Sequence, residues 1–362
     1  MLCSITPEIE VINASHDLWI YTLQKINHDF YHLPDYFRLE ASRSNTIPES
    51  IIFRDGNKIF FAPYLLRDCN DICNKVTDFF DIVSPYGYPG ILLSDSALKA
   101  PDFVKRAIME FKYSLKEKGV CSAFFRLHPI INEKIIDVFP PNTFTNNGET
   151  VSIDLTLSEA QLWNHTKPDR RNKINKCKKN GLTARMVNLL DYIDDFIDIY
   201  EETMQRVGAI DVYYDFNQQY CVNLKKILGD KLHLCIVENR EEILSAGLYA
   251  EYNGIVQALF GGTKTEYLKL SPSSLETNFV TLWAKERGNK LLHLGGGLGG
   301  TKNSLYEFKS GFSRMRHNFF TLRLIIDEEK YFYLASLKAK ALNITVEKLL
   351  ESQFFPAYRS SV

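Results

Sequence analysis

The chain has 362 residues, about the length of two ordinary domains. Hydrophobic residues make up 45% of it and charged residues 24%, so a packed core is expected and an intrinsically disordered protein is excluded. With 43 Lys and Arg against 44 Asp and Glu, the formal net charge is -1. This balance argues against a protein that coats nucleic acid through an overall positive field, and no DNA partner is expected.

The sequence also carries information about compartment and metal content. It has no run of about 18 to 20 apolar residues, the length that a membrane-spanning helix needs. Residues 1–15 contain no Lys or Arg, so they lack the basic start of a secretory signal, and the seven cysteines are scattered and odd in number. Neither Cys69 with Cys73 nor His28 with His32 completes a metal-ligand pattern. We therefore predict a soluble, cytoplasmic protein with reduced thiols, no transmembrane segment and no metal.

The N-terminal part of the chain is predicted to combine helices with antiparallel strands. In chain order the patterns indicate a helix at 17–42, hairpin strands at 50–53 and 58–66, a loop at 82–93, an amphipathic helix at 101–119 and a strand at 120–127. The hairpin turn is Asp55-Gly56-Asn57. The tract 140–150, PPNTFTNNGET, is rich in turn residues and is the best candidate for a domain boundary.

A similar mixture of strands and helices is predicted after this boundary. Strands are predicted at 150–155, 232–237, 244–252, 255–260, 291–294 and 319–326, and helices at 158–180 with a break at Pro168, 191–207, 215–229, 273–288, 303–312 and 328–352. The predicted fold class is α+β, with two domains of one kind. We assign them to residues 1–148 and 149–327, followed by a helical tail at 328–362.

Three segments carry candidate chemistry, and the first is basic. The stretch 167–179, KPDRRNKINKCKK, is the densest cluster of positive charge in the chain, with one acidic residue. It has two interpretations: a solvated helix face, or an anion site at which Arg170, Arg171 and Lys173 bind a phosphate, a polyphosphate or an RNA end.

The second segment is a glycine-rich turn after a predicted strand. Five of the chain's 19 glycines lie between Gly295 and Gly300. The spacing matches G-x-G-x-x-G, but the residues that follow do not supply the βαβ unit of a dinucleotide-binding fold. A turn lined by backbone amides, with Gly295, Gly296 and Gly297 close to a substrate, is the better interpretation. Lys309, just beyond the turn, could stabilise an oxyanion or a phosphate.

The third segment, 255–275, runs from a strand through two glycines into a helix start. Ser271 is predicted to be the N-cap and Pro272 to lie in the first turn. The segment has two interpretations: ordinary capping, or a helix N-terminus at which Ser271, Ser273 and Ser274 bind a phosphate or carboxylate.

Taken together, these segments resemble the FemAB-like branch of the GNAT acyltransferase superfamily over roughly residues 17–325. The resemblance is carried by FYHLPDYFRLE at 30–40, SPYGYPG at 84–90, Arg171-x-x-Ile174-x-Lys176, Tyr200-x-x-Thr203-Met204, LSPSSL at 270–275, LHLGGG at 292–297 and Tyr306-x-Phe308-Lys309. It implies two tandem GNAT-like domains, each with a mixed, mostly antiparallel sheet flanked by helices. It also implies transfer of an acyl or aminoacyl group from a thioester or aminoacyl-tRNA to an amine.

The resemblance further implies roles for individual residues. Phe308 and Lys309 match the pair that lines the acyl-transfer site, with Lys309 stabilising the tetrahedral oxyanion, and Arg171 matches an arginine near the donor. We place His293 and Tyr306 in the same catalytic set. The acceptor-binding candidates are Tyr86, Tyr88, Arg126, Tyr213 and Tyr214. The four tyrosines and His293 are also candidate general bases, with proton transfer assisted by the substrate as the alternative.

We therefore predict an N-acyltransferase that acts on an amine of a sugar nucleotide or of another cell-envelope or polysaccharide precursor. Its partners would be a small-molecule acyl donor, with acyl-CoA as co-substrate, and an acceptor of the amino-sugar type. Residues 261–274 lack the [QR]-x-x-G-x-[GA] pattern that binds coenzyme A in GNAT enzymes, so the donor stays open. One alternative is a peptidoglycan-bridge type of aminoacyltransferase that uses aminoacyl-tRNA, which makes tRNA a possible partner. Another is a non-catalytic module that binds nucleotide sugars or glycans.

Overall fold

The computed structural model describes residues 8–73, 77–140, 143–209, 213–240, 242–352 and 354–360. The chain divides into two compact units, which are described separately. Unit 1 comprises residues 1–147 and 318–362, and unit 2 comprises residues 148–317. Among the described residues, no helix is long and apolar enough to cross a membrane, and no group of three or more potential metal ligands occurs.

The strands are β1 Glu8–Asn13, β2 Ile47–Asp55, β3 Lys58–Asp68, β4 Phe80–Val83, β5 Leu92–Leu93, β6 Val120–Arg126, β7 Phe144–Asp154, β8 Thr183–Val187, β9 Leu232–Asn239, β10 Glu242–Tyr252, β11 Ile255–Thr263, β12 Leu291–Gly295 and β13 Met315–Ile325.

The helices are α1 Asp17–Leu23, α2 Pro34–Ser44, α3 Asn70–Cys73, α4 Asp95–Leu98, α5 Pro101–Glu117, α6 Glu159–His165, α7 Pro168–Lys179, α8 Ile193–Val207, α9 Gln218–Leu228, α10 Pro272–Glu286, α11 Ser304–Ser310, α12 Glu328–Ala341 and α13 Val346–Glu351. Short 3-10 turns lie between several of them. The predicted α+β class is confirmed.

Unit 1 is built on the strand order β1-β2-β3-β4-β6-β13, with β5 paired to β3. Its neighbouring strands are antiparallel except for β4 and β6. Alternate residues of β3 enter two different cores: Phe60 packs with the α5 side and Phe61 with the α1 and α2 side. The period of two along a strand explains this division, so the sheet of unit 1 is covered on both faces.

The single helix predicted at 17–42 is wrong. Helix α1 ends at Leu23, and α2 begins only at Pro34. Leu33 is extended, with ψ of 138°, because a proline disfavours the helical conformation of the residue before it. Asp29 caps a separate 3-10 turn in between, where its side chain accepts from Phe30 N.

The C-terminal residues do not form a separate body in the structure. Residues 318–362 group with residues 1–147 because β13 pairs with β6 and the side chains of α12 pack into a shared core. That core holds Cys69 and Cys121 together with Leu334 and Tyr358, all of them buried. The sequence-based ranges placed 318–327 in the second domain and 328–362 in a separate tail, whereas the structure groups both with residues 1–147.

Unit 2 has the strand order β7-β12-β11-β10-β9-β8, and its strands are antiparallel except for β11 with β12. Helix α10 covers one face, where the buried Glu276 accepts hydrogen bonds from Tyr249 Oη at 2.7 Å and Ser245 Oγ at 3.1 Å. Gly247 makes room for this carboxyl, since a Cβ there would lie 1.9 Å from Glu276 Oε1. Burial raises the pKa of Glu276 to about 7.

Candidate functional site

The two parallel strands of unit 2 separate along their length. Strands β11 and β12 pair over three residues, ending with Gln257 opposite His293. Beyond this point β11 continues to Thr263, while β12 stops at Gly295. Residues 258–263 of β11 therefore pair with β10 but not with β12. We call this opening between the strands the wedge. A strand edge of this kind offers backbone groups to an extended ligand.

A β-bulge lies on β11 directly beside the wedge. Its pairing with β10 shifts from Leu248–Phe260 to Tyr249–Ala258, so Leu259 is the inserted residue. A bulge locally breaks the regular pairing and re-aims the backbone, and bulges are frequent next to active sites. The bulge thus changes the direction of the backbone groups that line the wedge.

Two buried polar side chains lie where the wedge closes. His293 Nδ1 is 2.6 Å from Gln257 Oε1, and both residues are 1% exposed. Because an amide oxygen only accepts, this contact places the proton of His293 on Nδ1. The predicted catalytic histidine is thus held in a fixed orientation by a glutamine that the sequence did not single out.

The glycine-rich turn follows β12 and packs tightly against β7. A Cβ at Gly296 would lie 2.9 Å from Glu149 O, and one at Gly297 would lie 2.0 Å from Thr301 O. Gly295 has φ of 75°, a conformation that favours glycine. The glycines are therefore required by the protein's own backbone at this turn.

Lys309 reaches back from α11 to this turn. Its Nζ donates to Gly296 O at 2.8 Å, and the side chain is half-buried. Burial lowers its pKa from 10.5 to about 8. No carboxylate of the described residues lies within 4.0 Å of this ammonium. Helix α11 is fixed at its start by Asn303, whose Oδ1 accepts from Tyr306 N at 3.1 Å.

The start of the basic helix α7 lies against α11. The Arg170 guanidinium stacks on Phe308, 4.8 Å from the ring centroid, and Phe308 also contacts Phe312 edge-on at 5.2 Å. Arg170 is thus engaged within unit 2 by a cation–π contact. Arg171 and Lys173 are half-buried, and neither forms an ion pair with a described carboxylate.

A polar cluster adjoins the turn on its β7 side. Tyr306 Oη donates to Glu149 Oε2 at 2.7 Å and accepts from Arg316 Nε at 3.1 Å. Lys302 Nζ lies 2.9 Å from the same Oε2. The hydrogen bond from Tyr306, with that from Lys302, lowers the pKa of Glu149, whereas burial raises the pKa of Tyr306. Glu149 is consequently an oriented carboxylate near the turn.

Ser271 lies at the N-cap position of α10, as predicted, but its side chain makes no capping hydrogen bond. Ser271 has φ of 57° and closes the preceding 3-10 turn, so its side chain does not cap α10; its Oγ is 3.5 Å from Leu268 O. Pro272 opens the helix as predicted. Ser273 is half-buried, and Ser274 is fully buried with no hydrogen-bond partner for its Oγ among the described residues.

The predicted acceptor residues near SPYGYPG belong to unit 1. Helix α2 holds this loop, because Tyr36 Oη donates to Tyr86 O at 2.9 Å and Glu40 Oε2 accepts from Tyr86 N at 3.2 Å. Tyr88 is half-buried in an aromatic cluster, and Arg126 ends β6. Arg126 lies beside the loop, since its backbone N donates to Ser84 Oγ at 3.0 Å.

The other two predicted acceptor residues lie in unit 2. Tyr213 O accepts from Tyr200 Oη at 3.1 Å, and the Tyr213 ring is 6.4 Å from Phe216. Phe216 in turn packs 4.6 Å from Phe260, which lies on the stretch of β11 that does not pair with β12. Tyr213 and Tyr214 are half-buried, and this cluster connects Tyr213 to the wedge.

Within unit 2 the structure therefore brings Lys309, Phe308, Tyr306 and Arg170 together around the glycine turn. Glu149, Gln257, Lys302 and Arg316 were missed by sequence reasoning. No sequence pattern singles out any of these four residues, and only the pairing of strands and the packing of α11 reveal their partners.

Comparison with known proteins places this site within a described domain type. Residues 166–310 match the family model of the acetyltransferase (GNAT) domain, a span that includes α7, the wedge, the turn and Lys309. No curated protein sequence matches the chain.

Solved structures share the fold over most of the chain. The crystal structure of FemX is 12% identical and aligns with a TM-score of 0.67 over 90% of this chain and 99% of that one. L-PGS from Bacillus licheniformis is 11% identical, with a TM-score of 0.53 over 92% and 98%. The C-terminal domain of a putative lysylphosphatidylglycerol synthetase from Agrobacterium fabrum is 12% identical, with a TM-score of 0.52 over 80% and 86%.

Proposed function

We propose that this chain is a FemAB-like acyltransferase of the GNAT superfamily, which transfers an acyl or aminoacyl group to an amine of a cell-envelope precursor. The observation that carries the proposal is the half-buried ammonium of Lys309, which is held at the glycine turn without a carboxylate partner. A positive charge in such a position strongly stabilises negative charge that develops beside it.

The reaction would proceed by direct attack. The amine nitrogen forms a bond to the carbonyl carbon of the donor, and the carbonyl π electrons move to the oxygen. Lys309 stabilises this oxyanion. When the carbonyl re-forms, the bond from carbon to the leaving sulfur or oxygen breaks, and the leaving group takes up the proton that the amine releases. Most of the rate gain would come from positioning and from this electrostatic contact.

An acyl-CoA thioester is the donor that the wedge favours. The unpaired edge of β11 suits an extended arm that carries amides, because such an arm can pair with backbone groups as a strand does. The half-buried Arg171 and Lys173 on α7 would bind its phosphates.

Aminoacyl-tRNA is the second candidate donor. The exposed basic residues of α7 fit a nucleic-acid backbone. Two of the similar structures are described as L-PGS and as part of a putative lysylphosphatidylglycerol synthetase, and the second name combines an aminoacyl group, lysyl, with a phospholipid. The amino-sugar acceptor, with Tyr86, Tyr88 and Arg126 as its contacts, stays a prediction from the sequence.

The test combines a substrate panel with one variant. Purified protein is assayed with acyl-CoA thioesters and charged tRNAs against amino sugars, amino lipids and peptidoglycan precursors. We expect turnover with one donor class and a loss of about a hundredfold or more in kcat for Lys309→Met. Lys340→Met, at an exposed lysine of unit 1, is the matched control. Full activity of Lys309→Met would refute the proposed role. Ligand-induced thermal stabilisation without turnover with any donor would instead support the binding-module alternative.

A further inference from the structure

Glu149 is a carboxylate beside the glycine turn, and both its backbone and its side chain have defined contacts there. Its carbonyl oxygen lies against Gly296, the residue whose own carbonyl accepts from Lys309. Its side chain extends to Tyr306, three residues before Lys309 on α11. The ammonium and the carboxylate are therefore held at one turn by two residues of the same short helix.

The two carboxylate oxygens of Glu149 differ in their surroundings. Oε2 accepts from Tyr306 Oη at 2.7 Å and lies 2.9 Å from Lys302 Nζ. Oε1 has no hydrogen-bond partner among the described residues, and 31% of the side chain is exposed. A carboxylate anchored through one oxygen presents the other in a defined direction. Arg316, which donates to Tyr306 Oη at 3.1 Å, fixes the anchor in turn.

We infer that Glu149 is the catalytic residue that binds the attacking amine through Oε1 and accepts its proton. The inference rests on the proposed function. As the carbon–nitrogen bond forms and the carbonyl electrons move to the oxygen beside Lys309, the nitrogen becomes positively charged and strongly acidic. Its proton passes to Glu149 Oε1. The bond to the leaving sulfur or oxygen then breaks, and the leaving group takes the proton from Glu149, which restores the carboxylate.

The positive charge on the nitrogen of the intermediate explains why a carboxylate suffices as the proton acceptor. An amine that has added to a carbonyl is far more acidic than a free ammonium ion, so a carboxylate can accept its proton. Tyr306 is a positioning residue in this scheme, because its hydroxyl already donates to Oε2 and is bound by Arg316. The sequence-based assignment of Tyr306 to the catalytic set is thereby given a definite role.

The test uses conservative and deleting substitutions in the full chain. Glu149→Gln keeps the shape and can still bind Tyr306, and we expect kcat to fall about a hundredfold or more while the KM for the acyl donor changes less than threefold. Tyr306→Phe should lower kcat by about tenfold, since it frees the carboxylate without removing it. Glu307→Gln, at a side chain 60% exposed on the same helix, is the control and should keep full activity.

Chemical rescue separates a proton acceptor from a structural role. Sodium formate should raise the activity of Glu149→Ala at least tenfold, and it should not raise the activity of Lys309→Met. Glu149 variants that keep wild-type kcat would overturn the inference while an inactive Lys309→Met still supports the proposed function. Folded but inactive Glu149→Ala that formate does not rescue would also overturn it. A wild-type protein without turnover would reject the proposed function itself.

Discussion

Replacing Lys309 with Met should abolish transfer without destabilising the protein at pH 7. Burial lowers the pKa of this lysine from 10.5 to about 8, so the folded state holds its proton about 2.5 pH units less tightly than the unfolded chain does. At about 1.4 kcal/mol per unit, the charged form costs the fold roughly 3 kcal/mol. Methionine removes that cost, but it leaves Gly296 O without its hydrogen-bond donor, which lowers the unfolding free energy by about 1 to 3 kcal/mol. We expect a net gain in unfolding free energy of roughly 0 to 2 kcal/mol.

The pH dependence checks the sign of this reasoning. Below pH 8 Lys309 is charged in both states, and the full cost is present. Between pH 8 and about 10.5 only the unfolded chain keeps the proton, so the stability of the wild-type protein rises relative to the methionine variant. Urea unfolding of both proteins at pH 7 and pH 9.5 measures the difference. A methionine variant that is more than about 2 kcal/mol less stable at pH 7, or a difference that does not change with pH, would refute the reasoning.

Three further predictions concern Lys309, Gly297 and Glu276. Transfer should decline as pH rises above about 8, because Lys309 then loses its charge; a rate that stays constant to pH 10 with saturating donor would contradict this. Gly297→Ala should lower both activity and thermal stability, since its Cβ would lie 2.0 Å from Thr301 O. Gly299→Ala meets no atom within 4 Å, and only the backbone strain at φ of 61° opposes it, so it should cost less. Burial raises the pKa of Glu276 to about 7, so between pH 4.5 and 7 only the folded state keeps its proton. The stability of the wild-type protein, measured by urea unfolding, should therefore fall with rising pH relative to Glu276→Gln, by up to about 3 kcal/mol. Parallel pH profiles of the two proteins would contradict this prediction.

Helix breaks were predictable wherever one residue determines them locally. Pro168 separates α6 from α7 as predicted, because proline cannot continue a helix and starts one readily. The similar effect of Pro34 was overlooked because the apolar spacing of 17–42 resembles one long helix. Strands β1 and β8 were missed since both lie at sheet edges, where they bury few side chains.

The site was predictable only where one stretch of sequence contains it. Lys309 and the glycine turn lie within fifteen residues of each other, so the sequence, with the family resemblance, brought attention to both. The wedge depends on β12 ending before β11 does, and Glu149 meets Tyr306 across 157 positions of the chain. Ser271 lies at the N-cap position as predicted, but its left-handed backbone and the lack of a capping hydrogen bond from its side chain could not be read from the sequence. Tertiary geometry decides these features, and no local pattern encodes it.

The early end of β12 also separates two kinds of recognition. A donor arm lying along 258–263 would be held by peptide groups, which every amino acid provides, whereas the acyl group would meet the side chains around the turn. Substitutions of those side chains could then alter which acyl group is accepted while attachment of the arm persists. Relatives with the same missing strand contact could in this way diversify in the group they transfer and still draw on one common donor scaffold.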